Sequence, residues 1–145
     1  MRKAASIAAI ALGALMIVGA AVTWFTVSST LATQNIVIGE DAAKYCWWDM
    51  SGRQVDGPFT SFCQAQIIDA HALEATGGLY YSEIPRDDPL RAVAASAAYL
   101  QTSLFTSVVA FGVAAMAGLM GVVFILIGLG MRDVAERTGA IPARA

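Results

Sequence analysis

A chain of 145 residues with 57% hydrophobic and only 14% charged side chains lies outside ordinary soluble domains, in which about a quarter of residues are charged. Nine Lys and Arg stand against eleven Asp and Glu, a net charge of −2. The acids gather mid-chain, which argues against nucleic acid as a partner, because phosphate binding needs clustered cations.

No charged residue occurs between Lys3 and Glu40. A membrane span needs about 20 apolar residues at 1.5 Å rise each to cross roughly 30 Å of hydrocarbon, so residues 4–28, after a short cytoplasmic start at 1–3, are the first predicted transmembrane helix. Ala5, Ala9 and Gly13 recur there at every fourth position, a spacing that lets helix backbones approach closely in lipid. Trp24 and Phe25 mark its outer end, where aromatic side chains anchor at the headgroup level. A cleaved signal peptide competes with this reading, since Arg2, Lys3 and the small residues Gly19, Ala20 and Ala21 would serve it. The apolar stretch continues through Val22, Trp24, Phe25 and Val27, beyond the about 7 to 15 residues of such signals, and that favours a retained helix.

Residues 29–103 are expected to form an extracytoplasmic loop and cap of about 70 residues, a size at which a single core is marginal without a staple or partner. Asn35, Ile36, Val37, Ile38 and Gly39 read as a short extended piece, and Asp56, Gly57 and Pro58 as a turn. Thr60 is expected to cap a helix over about 60–76 that ends before Gly77 and Gly78. Phe59, Phe62, Cys63, Ile67, Ala70, His71 and Glu74 fall near one of its sides. Asp87, Asp88 and Pro89 are a helix-start signal. From about residue 89 no Pro intervenes before Pro142, which predicts a stalk helix that continues into the membrane.

The second span is expected over residues 104–131, within a stretch free of charge from Arg91 to Arg132. Ala114, Gly118 and Val122, and likewise Ala117 and Gly121, repeat the four-residue spacing of small residues, so an antiparallel helical hairpin follows. Neither span holds Asp, Glu, Lys, Arg or His, the residues that mark a proton relay or ion pathway. Residues 132–145 form the predicted tail. Arg2 and Lys3 precede the first span, and Arg132, Arg137 and Arg144 follow the second. Cations beside a span resist translocation, so both termini are expected in the cytoplasm and the acidic loop outside.

Cys46 and Cys63 are the only cysteines and both fall in the exterior loop, where thiols are oxidised. A structural disulfide is expected, because their separation is unlike the C-x-x-C of redox enzymes. Trp47 and Trp48, next to the first, would be lipid-interface anchors, part of the cap's core, or a binding surface. His71 has Asp69 and Glu74 nearby, yet a single His with bridged cysteines is too few ligands for zinc or non-haem iron. No G-x-S-x-G occurs, and His71 would be the sole base for a serine nucleophile. No metal, cofactor or catalytic residue is therefore assigned.

The strings V-D-G-P-F-T at 55–60, Q-A-Q at 64–66, H-A-L-E-A-T-G-G at 71–78 and L-F-T-S-V-V-A-F-G-V-A-A at 104–115 resemble a family of small two-span actinobacterial membrane proteins. The resemblance covers about residues 36–131 and implies two spans with an extracytoplasmic helical cap. Members often carry the label of aromatic ring-opening dioxygenase, but extradiol cleavage needs iron held by two His and a carboxylate, and only His71 is present. Cys46, Trp47, Trp48 and Cys63 fall outside the family's pattern, so the disulfide would be particular to this chain.

The fold expected is thus an all-α membrane hairpin with a small helical cap. The function expected is that of a non-enzymatic accessory or scaffolding subunit, with the bilayer and a larger membrane or envelope complex as partners. A self-assembling channel lined by Ser103, Thr106 and Ser107, and an extracytoplasmic thiol redox enzyme, are the alternatives.

Overall fold

The computed structural model describes residues 2–139. They form four helices, α1 (Arg2–Thr33), α2 (Ala42–Tyr45), α3 (Pro58–Ala75) and α4 (Leu90–Gly139). Among the described residues the extended backbone is limited to one antiparallel bridge between Val37 and Gln54. Arg144 and Pro142, from the expected tail, lie outside the described residues.

Ala4–Thr33 of α1 and Leu90–Val134 of α4 are long and apolar enough to cross a membrane, and only 11% and 17% of their most apolar windows are buried. A core helix of a soluble domain would hide such a surface. α1 continues past residue 28 because hydroxyls replace the lost apolar character. Ser29 Oγ and Thr30 Oγ1 donate to the Thr26 carbonyl, and Thr33 Oγ1 donates to that of Thr30, so this polar stretch stays helical with its side chains satisfied.

α3 starts at Pro58 with Gly57 as its N-cap, earlier than the expected cap at Thr60. Proline fits the first helical position because its missing N–H would have no intrahelical partner. Thr60 instead sits inside the first turn, where its Oγ1 accepts from Gly57 N–H at 3.0 Å and Asp56 N–H at 3.2 Å. This is half of a capping box, the side chain reaching back to the N-cap backbone. At the other end Gly77 and Gly78 adopt φ of 69° and 89°, and Gly78 N–H donates to the Leu73 carbonyl, closing the helix with left-handed residues. The buried side of α3 runs through Thr60, Cys63 and Ile67, whereas Phe59, Phe62, His71 and Glu74 are exposed. Asp88 Oδ1 accepts from Leu90 N–H at 2.8 Å and so caps α4.

The chain forms two compact units, one from residues up to 24 with those from 113 onward, the other from residues 25–112. In the first, the helix segments run antiparallel with glycines at their closest approach. A Cβ on Gly13 would lie 2.5 Å from the Gly121 carbonyl oxygen, one on Gly121 would lie 2.7 Å from that of Gly13, and one on Gly128 would lie 2.9 Å from that of Ser6. Gly118 is looser, 3.5 Å from Ala20. Ser6, Gly13, Ala114, Gly121 and Gly128 are buried, Ala9 and Ala117 half-buried, and Ala5 and Val122 exposed. The face on α1 therefore follows Ser6, Gly13 and Ala20 rather than a line through Ala5. Seven residues separate successive members, as in Ala114, Gly121 and Gly128 on α4, which is the two-turn return of a helix seam.

The second unit has its own core, in which Ile38, Val55, Cys63, Ile67, Leu104 and Phe111 are buried together. The extended piece at 36–38 closes over it through Ile38 N–H to Arg53 O and Val55 N–H to Ile36 O, at 3.0 and 2.9 Å.

Candidate functional site

Cys46 follows the single turn of α2, where its N–H donates to the Ala42 carbonyl. It is bridged to Cys63 of α3 with 5.3 Å between Cα atoms, inside the usual range for a disulfide. Cys63 is 2% exposed, so the bridge is anchored in the core on one side. Its geometric consequence falls on the neighbours of Cys46. Trp47 is brought 6.2 Å from Phe62 and Trp48 5.7 Å from Phe59, ring centre to ring centre, and Phe62 in turn meets Phe105 of α4 edge-on at 5.9 Å. These are the separations of interacting aromatic pairs.

The cluster is nonetheless a surface feature, with Trp47 83% and Trp48 46% exposed. Beneath it lies an open cleft of about 190 Å³ whose lining, completed by Met50, Pro58 and Val108, is almost wholly apolar. No ionisable side chain contributes to it. The placement of Trp47 and Trp48 thus rules out a core role for the pair.

His71 lies on the exposed side of α3, and its Nε2 is 2.6 Å from Oδ2 of Asp41. The Tyr45 ring stands edge-on to the imidazole at 6.2 Å. The hydrogen bond from His71 holds the Asp41 carboxyl below its usual value. Asp41, 30 residues away in sequence, is the partner that the reading of Asp69 and Glu74 as neighbours missed. Among the described residues no group of three or more His, Cys, Asp and Glu is placed to hold a metal ion.

A third feature is a groove of about 240 Å³ bordered by Asp69 and Leu73 of α3, by Leu79, Tyr80 and Tyr81, and by Gln101 of α4. Arg91 fixes its rim. The guanidinium lies 4.1 Å from the centre of the Tyr81 ring and donates to the Ile84 carbonyl, a cation–π contact with a backbone tether. Tyr80 remains exposed.

Ser103, Thr106 and Ser107 meet Thr26, Thr30 and Gln34 around another cleft. Thr106 Oγ1 and Ser107 Oγ donate to the carbonyls of Thr102 and Ser103 in their own helix. Trp24 and Phe25 are exposed on α1. The small-residue face adds Ser6 and Gly128, which four-residue spacing did not find and seven-residue spacing does. No protein-family model, curated protein or solved structure significantly matches this chain.

Proposed function

We propose that this chain is a non-enzymatic integral membrane protein whose disulfide-bridged unit docks, outside the cytoplasm, onto a larger membrane or cell-envelope complex. The observation that carries the reading is the groove rimmed by Tyr80 and Tyr81 on a unit locked by Cys46–Cys63. Tyrosine is enriched where proteins meet, and a preorganised surface loses less entropy on binding. The low burial of the two apolar helices supports a bilayer around them. Backbone-close packing of Gly13 on Gly121 supports an α1 that stays in the mature fold, since a cleaved leader has no use for a fitted face. The disulfide supports an oxidising side for the cap, and Arg132 beyond the apolar stretch supports an inward C-terminus.

Solubilisation in a mild detergent, affinity capture of the tagged chain and mass spectrometry test the docking. The expected result is stoichiometric recovery of one defined complex, lost in Tyr80→Ala while the disulfide still forms. Recovery of the monomer alone rejects the reading. Recovery of a homo-oligomer alone would move the assignment to a self-assembling hairpin.

A further inference from the structure

We infer that the aromatic cluster of Trp47, Trp48, Phe59 and Phe62 is a membrane-interface wedge, seated in the outer headgroup layer with a phospholipid acyl chain in the cleft beneath it. The inference rests on the membrane part of the proposed reading and not on the docking partner.

Counting along α4 places the cluster. About 20 residues at 1.5 Å rise span the hydrocarbon, so a core that begins at Met131, next to Arg132, ends near Gly112. The headgroup layer then occupies about the next 5 to 7 Å, the stretch that holds Val108 and approaches Phe105. Val108 lines the cleft and Phe105 contacts Phe62. The same count along α1 from Ala4 ends near Trp24, just before the hydroxyls of Thr26 and Thr30. Those hydroxyls line one cleft with Ser103, Thr106 and Ser107. A band of hydroxyls on both helices is what a boundary between hydrocarbon and headgroups looks like in sequence, and it lies at the level of the cluster.

Chemistry selects the occupant at that level. Tryptophan and its aromatic neighbours are favoured at the interface because the rings are apolar and the indole N–H is satisfied by water or headgroups. The lining of the cleft is apolar and includes no ionisable group, which suits a hydrocarbon chain and not a headgroup phosphate. Val108 of α4 is part of that lining, about four residues beyond the end of the counted hydrocarbon at Gly112, so the cleft borders the acyl-chain region. The disulfide gives the wedge its rigidity by fixing the residue before Trp47 to the buried Cys63.

The test uses the full chain with Trp24→Phe in phosphatidylcholine liposomes, so that emission comes from Trp47 and Trp48. Lipids brominated shallowly or deeply along the acyl chain report contact with the bilayer, and iodide on both sides reports water. The expected result is that shallow bromine removes most of the emission, deep bromine removes several-fold less, and iodide quenches several-fold less than it quenches free tryptophan amide. Strong iodide quenching without bromine quenching would overturn the inference, as a wedge standing in water awaiting a protein partner. Protection from both quenchers would overturn it too, showing a second copy on the patch. A companion protein with Trp47→Phe and Trp48→Phe leaves Trp24 as the reporter. If bromine fails there as well, the membrane reading itself falls, whereas quenching of Trp24 alone sinks only the wedge.

Discussion

At the scale of single residues, the glycines of the hairpin make the sharpest demand. A side chain on Gly13 would meet the Gly121 carbonyl oxygen at 2.5 Å, and backbone cannot step aside as a flexible side chain does. Gly13→Val should therefore separate the helices, at a cost of about 1 to 3 kcal/mol for overpacking. Gly118→Ala, with 3.5 Å to its nearest neighbour, should be tolerated. Thermal unfolding in detergent, read by helical signal, ranks the two variants. Asp41 offers a different probe. Its carboxyl is held below the usual 3.8 by the hydrogen bond from His71, so the folded state prefers the carboxylate. That preference is complete above the unfolded value and is lost as pH falls through the depressed folded value. Asp41→Asn should accordingly flatten the acid limb of the stability curve below about pH 4 and lower stability at neutral pH, where the carboxylate's contribution is complete. A carboxyl titration followed by NMR gives the direction directly. Neither the glycine register nor this pair was legible beforehand. A helix apolar on every side offers no periodic contrast from which to choose Ser6 over Ala5, and Asp41 is 30 residues from His71, beyond any local pattern.

At the scale of elements, α3 shows what local rules carry and where they stop. Pro58, Gly77 and Gly78 bracket it as turn chemistry requires, yet Thr60 acts from inside the first turn. Thr60→Ala should cost about 1 kcal/mol through the freed Gly57 N–H, and Thr60→Ser should restore most of it in a chemical denaturation series. The disulfide acts on two elements together. Closing a loop of 17 residues contributes about 3 kcal/mol in the chain-entropy model, so the Cys46→Ala, Cys63→Ala double variant should lower the melting temperature of the cap. It should also loosen Trp47 and Trp48, visible as a red shift in their emission. The pair was legible because two lone cysteines in the stretch between the apolar helices have few alternatives. Which aromatic rings it would assemble was not, since Trp48–Phe59 and Trp47–Phe62 are contacts between the segment after α2 and α3. The outward turn of Phe59 and Phe62 was likewise hidden, because an aromatic at helical spacing reads as core until its surroundings are known.

At the scale of the whole molecule, the two long uncharged apolar runs made the all-helical plan with two apolar helices legible, since each is long enough for one spanning helix that satisfies its own backbone groups. What composition does not carry is direction, and the proposed function depends on it: a tyrosine-rimmed groove serves an envelope complex only if it lies outside. Two independent arguments support the proposed direction. The cations flanking the spans resist crossing, and Cys46–Cys63 persists only where thiols are oxidised. Asp87 is an exposed residue of the connection before α4 and does not line the tyrosine groove, so Asp87→Cys places a reporter thiol on the cap without entering either helix. In intact spheroplasts a membrane-impermeant maleimide should label it fully, while a peptide tag appended to the C-terminus stays hidden from added protease until the cells are lysed. Labelling only after lysis, with a tag digested from outside, would invert the molecule and place the groove in the cytoplasm. The disulfide would then lack its oxidising side, and both the docking reading and the outer-leaflet position of the aromatic wedge would fail with it.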